Sequence, residues 1–123
     1  MRQTLIRKLT AAVAAVAILV TATDAVAGPT RRLHAGNAHT WQIQVFAGTP
    51  VNITVDGDGD PNADLDLFVY DQWGNLVDVD DDYTDYCLGS FVPRRSGVIT
   101  IRIENVGTVY NDYELRVSGG RIR

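Results

Sequence analysis

The sequence has one cysteine and two histidines in 123 residues, and no lysine follows Lys8. A lone cysteine rules out an intramolecular disulfide, so the fold depends on burial and hydrogen bonding alone. The histidines, His34 and His39, belong to no paired zinc-ligand motif, and no Gly-rich phosphate loop follows a strand-like segment. Positive charge is scarce where negative charge is dense: no Lys or Arg lies between Arg32 and Arg94, while eleven acids fall between Asp56 and Asp85. That block repels a duplex or an anionic bilayer, so nucleic acid is excluded as a partner and cations or basic surfaces are favoured.

Long apolar runs are nearly missing too. The one that exists, from Leu9 to Val20, is shorter than the ~20 residues a bilayer crossing needs. It follows Arg2, Arg7 and Lys8 and precedes Ala25-Val26-Ala27, a small-x-small cleavage pattern. Residues 1–27 therefore read as a secretory signal peptide, with a secreted or periplasmic location and no stable membrane anchor after cleavage. What remains carries eight arginines against fourteen acids, a formal charge of −6.

Residues 28–39 hold Gly, Pro and Asn without apolar periodicity and read as a loosely attached leader. From there on the period is two. Trp41, Ile43 and Val45 share a face, as do Val51, Ile53 and Val55, Leu65, Leu67 and Val69, Ile99, Ile101 and Ile103, and Tyr113, Leu115 and Val117. Pro93 marks a strand end, DQWGN a turn, and no helical stripe appears. About seven short strands predict an all-β fold: a single antiparallel β-sandwich, jelly-roll-like, over residues 40–118, with a tail at 119–123.

The stretch DGDGDPNADLDLFVYD, residues 56–71, poses the functional question. An EF-hand would need glycine at the sixth loop position and a carboxylate at the twelfth; counting from Asp56 these are Pro61 and Leu67, and from Asp58 they are Ala63 and Val69. The reading left is a hairpin. With Val69 opposite Val77 and Leu67 opposite Val79, the apolar faces match, and Asp66 falls opposite Asp80 and Asp64 opposite Asp82. Opposed like charges destabilise a strand pair. Water and salt, Arg94 or Arg95, or a cation must relieve them. Calcium accepts several carboxylates in flexible geometry, with Asp58, Asp60 and Asn62 as outer ligands and a structural role.

A nucleophile and base are hard to assemble from Ser90, Ser96, Ser118, Cys87, His34 and His39, so no catalysis is expected. Cys87 reads as a buried thiol or an intermolecular disulfide. Trp73, Tyr70 and Phe68 belong to one hairpin; facing away from the core they would stack on sugar rings or grip a protein chain, unless another segment covers them.

The segments DLDLFVYDQWGNLV (64–77), SGVITIRIENVG (96–107) and YELRV (113–117) resemble the bacterial pre-peptidase C-terminal (PPC) domain. The resemblance spans residues 40–118 and implies a secreted β-sandwich module of the kind appended to proteases and other exported enzymes; related collagen-binding modules use calcium. Trp73 departs from the pattern, standing in a turn where polar residues are more usual. The expected function is an exported non-catalytic module, stabilised by calcium, that binds a protein or polysaccharide. The alternative is an accessory partner of a secreted protease with no ligand of its own.

Overall fold

The computed structural model describes residues 26–123. Nine strands follow in order: β1 Val26–Leu33, β2 Ala38–Val45, β3 Val51–Asp56, β4 Leu65–Tyr70, β5 Leu76–Asp80, β6 Tyr86–Phe91, β7 Gly97–Asn105, β8 Asn111–Ser118 and β9 Gly120–Ile122. They form two antiparallel sheets, ordered β1-β8-β3-β6 and β5-β4-β7-β2-β9, which stack as one β-sandwich. The expected fold class is the observed one.

Alternation in the sequence becomes alternation in burial. Val51, Ile53 and Val55 of β3, Leu65, Leu67 and Val69 of β4, Ile99, Ile101 and Ile103 of β7, and Leu115 and Val117 of β8 are all buried in one cluster. Each such side chain withdrawn from water contributes about 1.5–3 kcal/mol toward offsetting the entropy lost when the chain is ordered. Tyr113 is buried with them and brings a hydroxyl that must be satisfied. Trp41 Nε1–H donates to it at 2.9 Å, and His39 Nδ1 lies 2.8 Å away.

Two boundaries differ from the expectation. Residues 28–33 are not a loose leader: β1 pairs with β8 from Val26↔Val117 to Leu33↔Asn111, and Leu33 is buried. Pro29 hid the strand, because proline cannot donate to a ladder; it is tolerated here in an edge strand, inside the register shift between Ala27 and Thr30. The tail is likewise a strand, with β9 pairing Ile122 to Ile43 of β2. Gly119, at φ 78°, carries the chain from one sheet to the other, and a Cβ there would collide with the Pro50 carbonyl. The export segment assigned to residues 1–27 lies outside the described residues, except for the last two, which open β1.

Because every neighbouring pair is antiparallel, the loops sort to two ends. Residues 46–50, 71–75 and 92–96 share one end, where Gly48 N–H bonds the Pro93 carbonyl and Ala47 N–H bonds Ser96 Oγ. Residues 34–37, 57–64, 81–85 and 106–110 share the other.

Candidate functional site

The β4–β5 hairpin does not keep the expected register. Tyr70 faces Leu76 as expected, but a bulge then shifts the pairing, so that Val69 faces Asp78, Phe68 faces Val79 and Leu67 faces Asp80. A one-residue slip turns every later side chain over. Val77 and Val79 point to solvent, and Asp78 and Asp80 turn toward the sandwich interior at its open side. The cause is across the gap: Asp80 Oδ2 accepts the Leu88 N–H at 2.8 Å and Asp78 Oδ2 the Ser90 N–H at 2.7 Å. Both amides belong to β6, an edge strand whose outward donors would otherwise lack a partner. Satisfying two edge amides with charged acceptors outweighs burying two valines on a marginal edge.

The expected oppositions of Asp66 with Asp80 and Asp64 with Asp82 are therefore corrected, yet the acids still gather. Asp66 faces Glu104 of β7 and lies among Asp64, Asp81, Glu104 and Asp80. Its carboxyl is pushed up to about 6, first by burial and then by those neighbours. Asp64 is also raised, by burial and by Asp82. Arg102 donates its Nε–H to Glu104 at 2.6 Å, so the nearest guanidinium is engaged with Glu104 and not with Asp66. The Oδ1 atoms of both Asp64 and Asp66 are out of reach of solvent and have no hydrogen-bond partner, the condition that a polar group pays most to avoid. Sequence reading missed Asp81 and Glu104; only the shifted register and the β4–β7 pairing bring them in.

Asp58, Asp60 and Asn62 are held elsewhere. Asp58 accepts from Asn111 Nδ2 at 3.0 Å and from Asp112 N–H at 3.1 Å, and returns its own N–H to Asn111 Oδ1. Asp60 accepts the Asn62 N–H at 2.9 Å in a tight turn. Asn111, fully buried, also donates to Asp85, so a neutral amide separates two carboxylates. The expected outer ligands thus form an organised loop bonded to β8. Neither Arg94 nor Arg95 pairs with any of these acids; both sit at the other end of the molecule.

Hard oxygen donors at Asp64, Asp66, Asp81 and Asp82 suit calcium in kind. Among the described residues no group of three or more His, Cys, Asp or Glu side chains is already drawn together to hold a metal ion, so a cation would have to gather carboxylates that now repel one another.

The expected ligand-binding aromatics separate into two places. Phe68 and Tyr70 are half-buried on the outer face of their sheet, beside Arg102 and Thr100. Trp73, 63% exposed, stands in the turn at the opposite end from the acidic loops. That turn is rigid: Asp71 Oδ1 accepts the N–H groups of Trp73 and Asn75 at 2.9 Å each, Asp71 Oδ2 accepts Asn75 Nδ2 at 3.1 Å, and Gly74 takes φ 84°. Burial alone would raise the Asp71 pKa, but bonds from Asn75, Trp73 and Gly74 hold it below the usual carboxylate range. Trp73 lines a groove of about 380 Å³ with Val77, Phe91, Val92, Pro93 and Arg94. The last four were not foreseen, because they arrive from the end of β6 and the loop after it, some twenty residues downstream.

Cys87 and His39 are both engaged within the fold. Cys87 is buried and its thiol donates to the Leu65 carbonyl at 3.0 Å; burial and then Asp80, Asp82, Asp66 and Asp64 push its pKa far up. His39 is lowered by burial and by Arg31. No protein-family model matches the chain, and no curated protein matches it.

Proposed function

We propose that the chain is an exported, non-catalytic β-sandwich module that binds a polymer or protein ligand and whose acidic edge is stabilised by calcium. The observation that carries the binding role is Trp73, a large indole held in solvent by a fixed turn at the rim of a groove. An exposed Trp with a rigid backbone gives contact area at little entropic cost. The calcium role is supported by the two orphaned carboxylate oxygens in a cluster of like charge. A buried thiol, a histidine turned to a core tyrosine and carboxylates already spent on backbone amides support a role without chemistry.

The resemblance to the PPC domain agrees with this reading in fold and in export. Here calcium would do no more than neutralise and fix the β4–β5 edge, with no metal-bound water. The test is capture: the chain from residue 26 onward, which contains every described strand, is passed over polysaccharides, collagen-like protein and the exported proteins of its host. Capture that is lost in Trp73→Ala supports the module. Capture that ignores Trp73 and finds only one protease would instead make the chain that protease's accessory partner.

A further inference from the structure

The charge of the molecule is segregated by end. The loops at residues 57–64 and 81–85 hold Asp58, Asp60, Asp64, Asp81, Asp82 and Asp85 without one cation. At the opposite end, residues 46–50, 71–75 and 92–96 hold Arg94, Arg95 and a single acid, Asp71, whose oxygens are bonded within its own turn. Six-residue strands separate the two ends by about 20 Å, more than twice the ~8 Å screening length at physiological salt. The net acidity of the chain therefore says little about the Trp73 end.

The arginines there differ from most of the others, Arg123 near the end of the chain excepted. Arg32 pairs with Asp112, Arg102 with Glu104, and Arg116 with Glu114 and Asp56. Arg31 lies over Trp41 and Arg121 over Phe46. Arg94 and Arg95 have no ion pair and no ring partner among the described residues, and Arg94 lines the Trp73 groove. The groove thus offers an exposed indole face, an unpaired guanidinium and the amide of Gln72; Asp71 also lines it, with both carboxylate oxygens bonded to Trp73 and Asn75 inside its own turn. Of its two flanking strands, β6 is a poor template for an added peptide strand, since Asp78 and Asp80 already take the outward amides of Leu88 and Ser90.

We infer that this groove is a subsite for an acidic polysaccharide, with Trp73 stacked on a sugar ring and Arg94, seconded by Arg95, on its carboxylate or sulfate. The inference rests on the reading of Trp73 as a ligand-binding residue and names the ligand's chemistry. Guanidinium matches either oxyanion bidentately, and the indole supplies the flat apolar surface that a pyranose ring needs.

The experiment follows tryptophan fluorescence and calorimetric heat as the chain from residue 26 onward is titrated with polygalacturonate, dextran sulfate, neutral dextran and polyglutamate. Binding to one or both acidic polysaccharides is expected, weakening as salt rises, with about a tenfold loss in Trp73→Ala and again in Arg94→Gln/Arg95→Gln. The choice between the first two polymers separates a carboxylate from a sulfate. Arg116→Gln, which removes a charge far from the groove, should bind as the parent does, and circular dichroism melts confirm that each variant is folded. Equal binding of neutral dextran, stronger binding of polyglutamate, or full affinity in the arginine variant overturns the inference. If no acidic polysaccharide binds but another polymer or protein is captured through Trp73, the inference fails and the module reading stands; if Trp73→Ala alters no capture of any kind, both fail.

Discussion

The Asp78 carboxylate accepts the Ser90 N–H at 2.7 Å across the open side of the sandwich, and this bond joins two sheets that share no ladder there. Asp80 repeats it with Leu88 two residues along. The pair works as a clasp: edge amides of one sheet are closed by inward carboxylates of the other, which also blocks pairing with a foreign strand.

Removing one half of the clasp should therefore cost more than a surface aspartate normally does. Asp78→Ala leaves the Ser90 amide without its acceptor and is expected to destabilise by about 1–3 kcal/mol in denaturant unfolding. Asp78→Asn keeps an acceptor oxygen and should cost less. Hydrogen exchange reads the local signature: the Ser90 amide is expected to exchange slowly in the parent, although it is on an edge, and quickly in Asp78→Ala.

The same clasp shows where the sequence stops being informative. Strands β2, β3, β4, β7 and β8 were legible because each has one face packed in the core, and that requirement writes period two into the chain. In β5 the rule reversed. Val77 and Val79 look like core residues and Asp78 and Asp80 like surface ones, but the deciding term was the pair of unsatisfied amides on β6, which no local pattern records. The acidic cluster was legible as a composition and not as a geometry, since Asp81 enters through the bulged β4–β5 register and Glu104 through the β4–β7 pairing. Trp73 could be found from its turn. Its groove could not, because Phe91 to Arg94 reach it through the tertiary fold.

Asp66 gives a pH dependence of definite sign. Its carboxyl titrates at about 6 in the fold against 3.8 when free, so the folded state holds a proton that the unfolded state releases. The stability linked to it is present below the free value and lost as pH rises through about 6. His39, lowered by burial, works in the opposite direction. The Asp66 share is read by difference: in chelator, Asp66→Asn should exceed the parent in melting midpoint by the most at pH 7.5, and the gap should close toward pH 4.

Calcium should invert that ranking. A cation binding only the folded state at 100 times its dissociation constant stabilises by about 2.7 kcal/mol, several degrees for a domain of this size. Millimolar calcium against chelator, at equal ionic strength and pH 7.5, is expected to raise the parent midpoint and to leave Asp64→Asn/Asp66→Asn unmoved. The rise should shrink at pH 5, where Asp66 is mostly protonated. An unchanged parent midpoint would make the edge a solvated acidic turn.

Asn111 separates Asp58 from Asp85 with a buried amide that donates to both. Asn111→Ala strands those carboxylates and is expected to cost about 1–3 kcal/mol. Asn111→Asp places a third carboxylate between them and should cost more at neutral pH, with part of the loss recovered as the medium is acidified. Thermal melts of the two variants across pH distinguish a lost hydrogen bond from added repulsion.

Cys87 should behave as a packing residue even in an oxidising medium. Its side chain is fully buried, its Sγ–H is given to the Leu65 carbonyl at 3.0 Å, and the thiolate is disfavoured by burial and then by Asp80, Asp82, Asp66 and Asp64. Reactivity requires the thiolate, so the native protein has neither access nor the nucleophile. An aromatic disulfide reagent should leave it untouched under native conditions and label it at the rate of opening in denaturant, and nonreducing electrophoresis should show no disulfide-linked dimer. Cys87→Ala should cost about 1–2 kcal/mol through the lost volume and the weakened hold on Leu65. Rapid labelling of the native protein would mean that β4 and β6 separate easily at this point. It would also undermine the clasp, because Asp80 closes on Leu88, the residue next to Cys87 on the same strand.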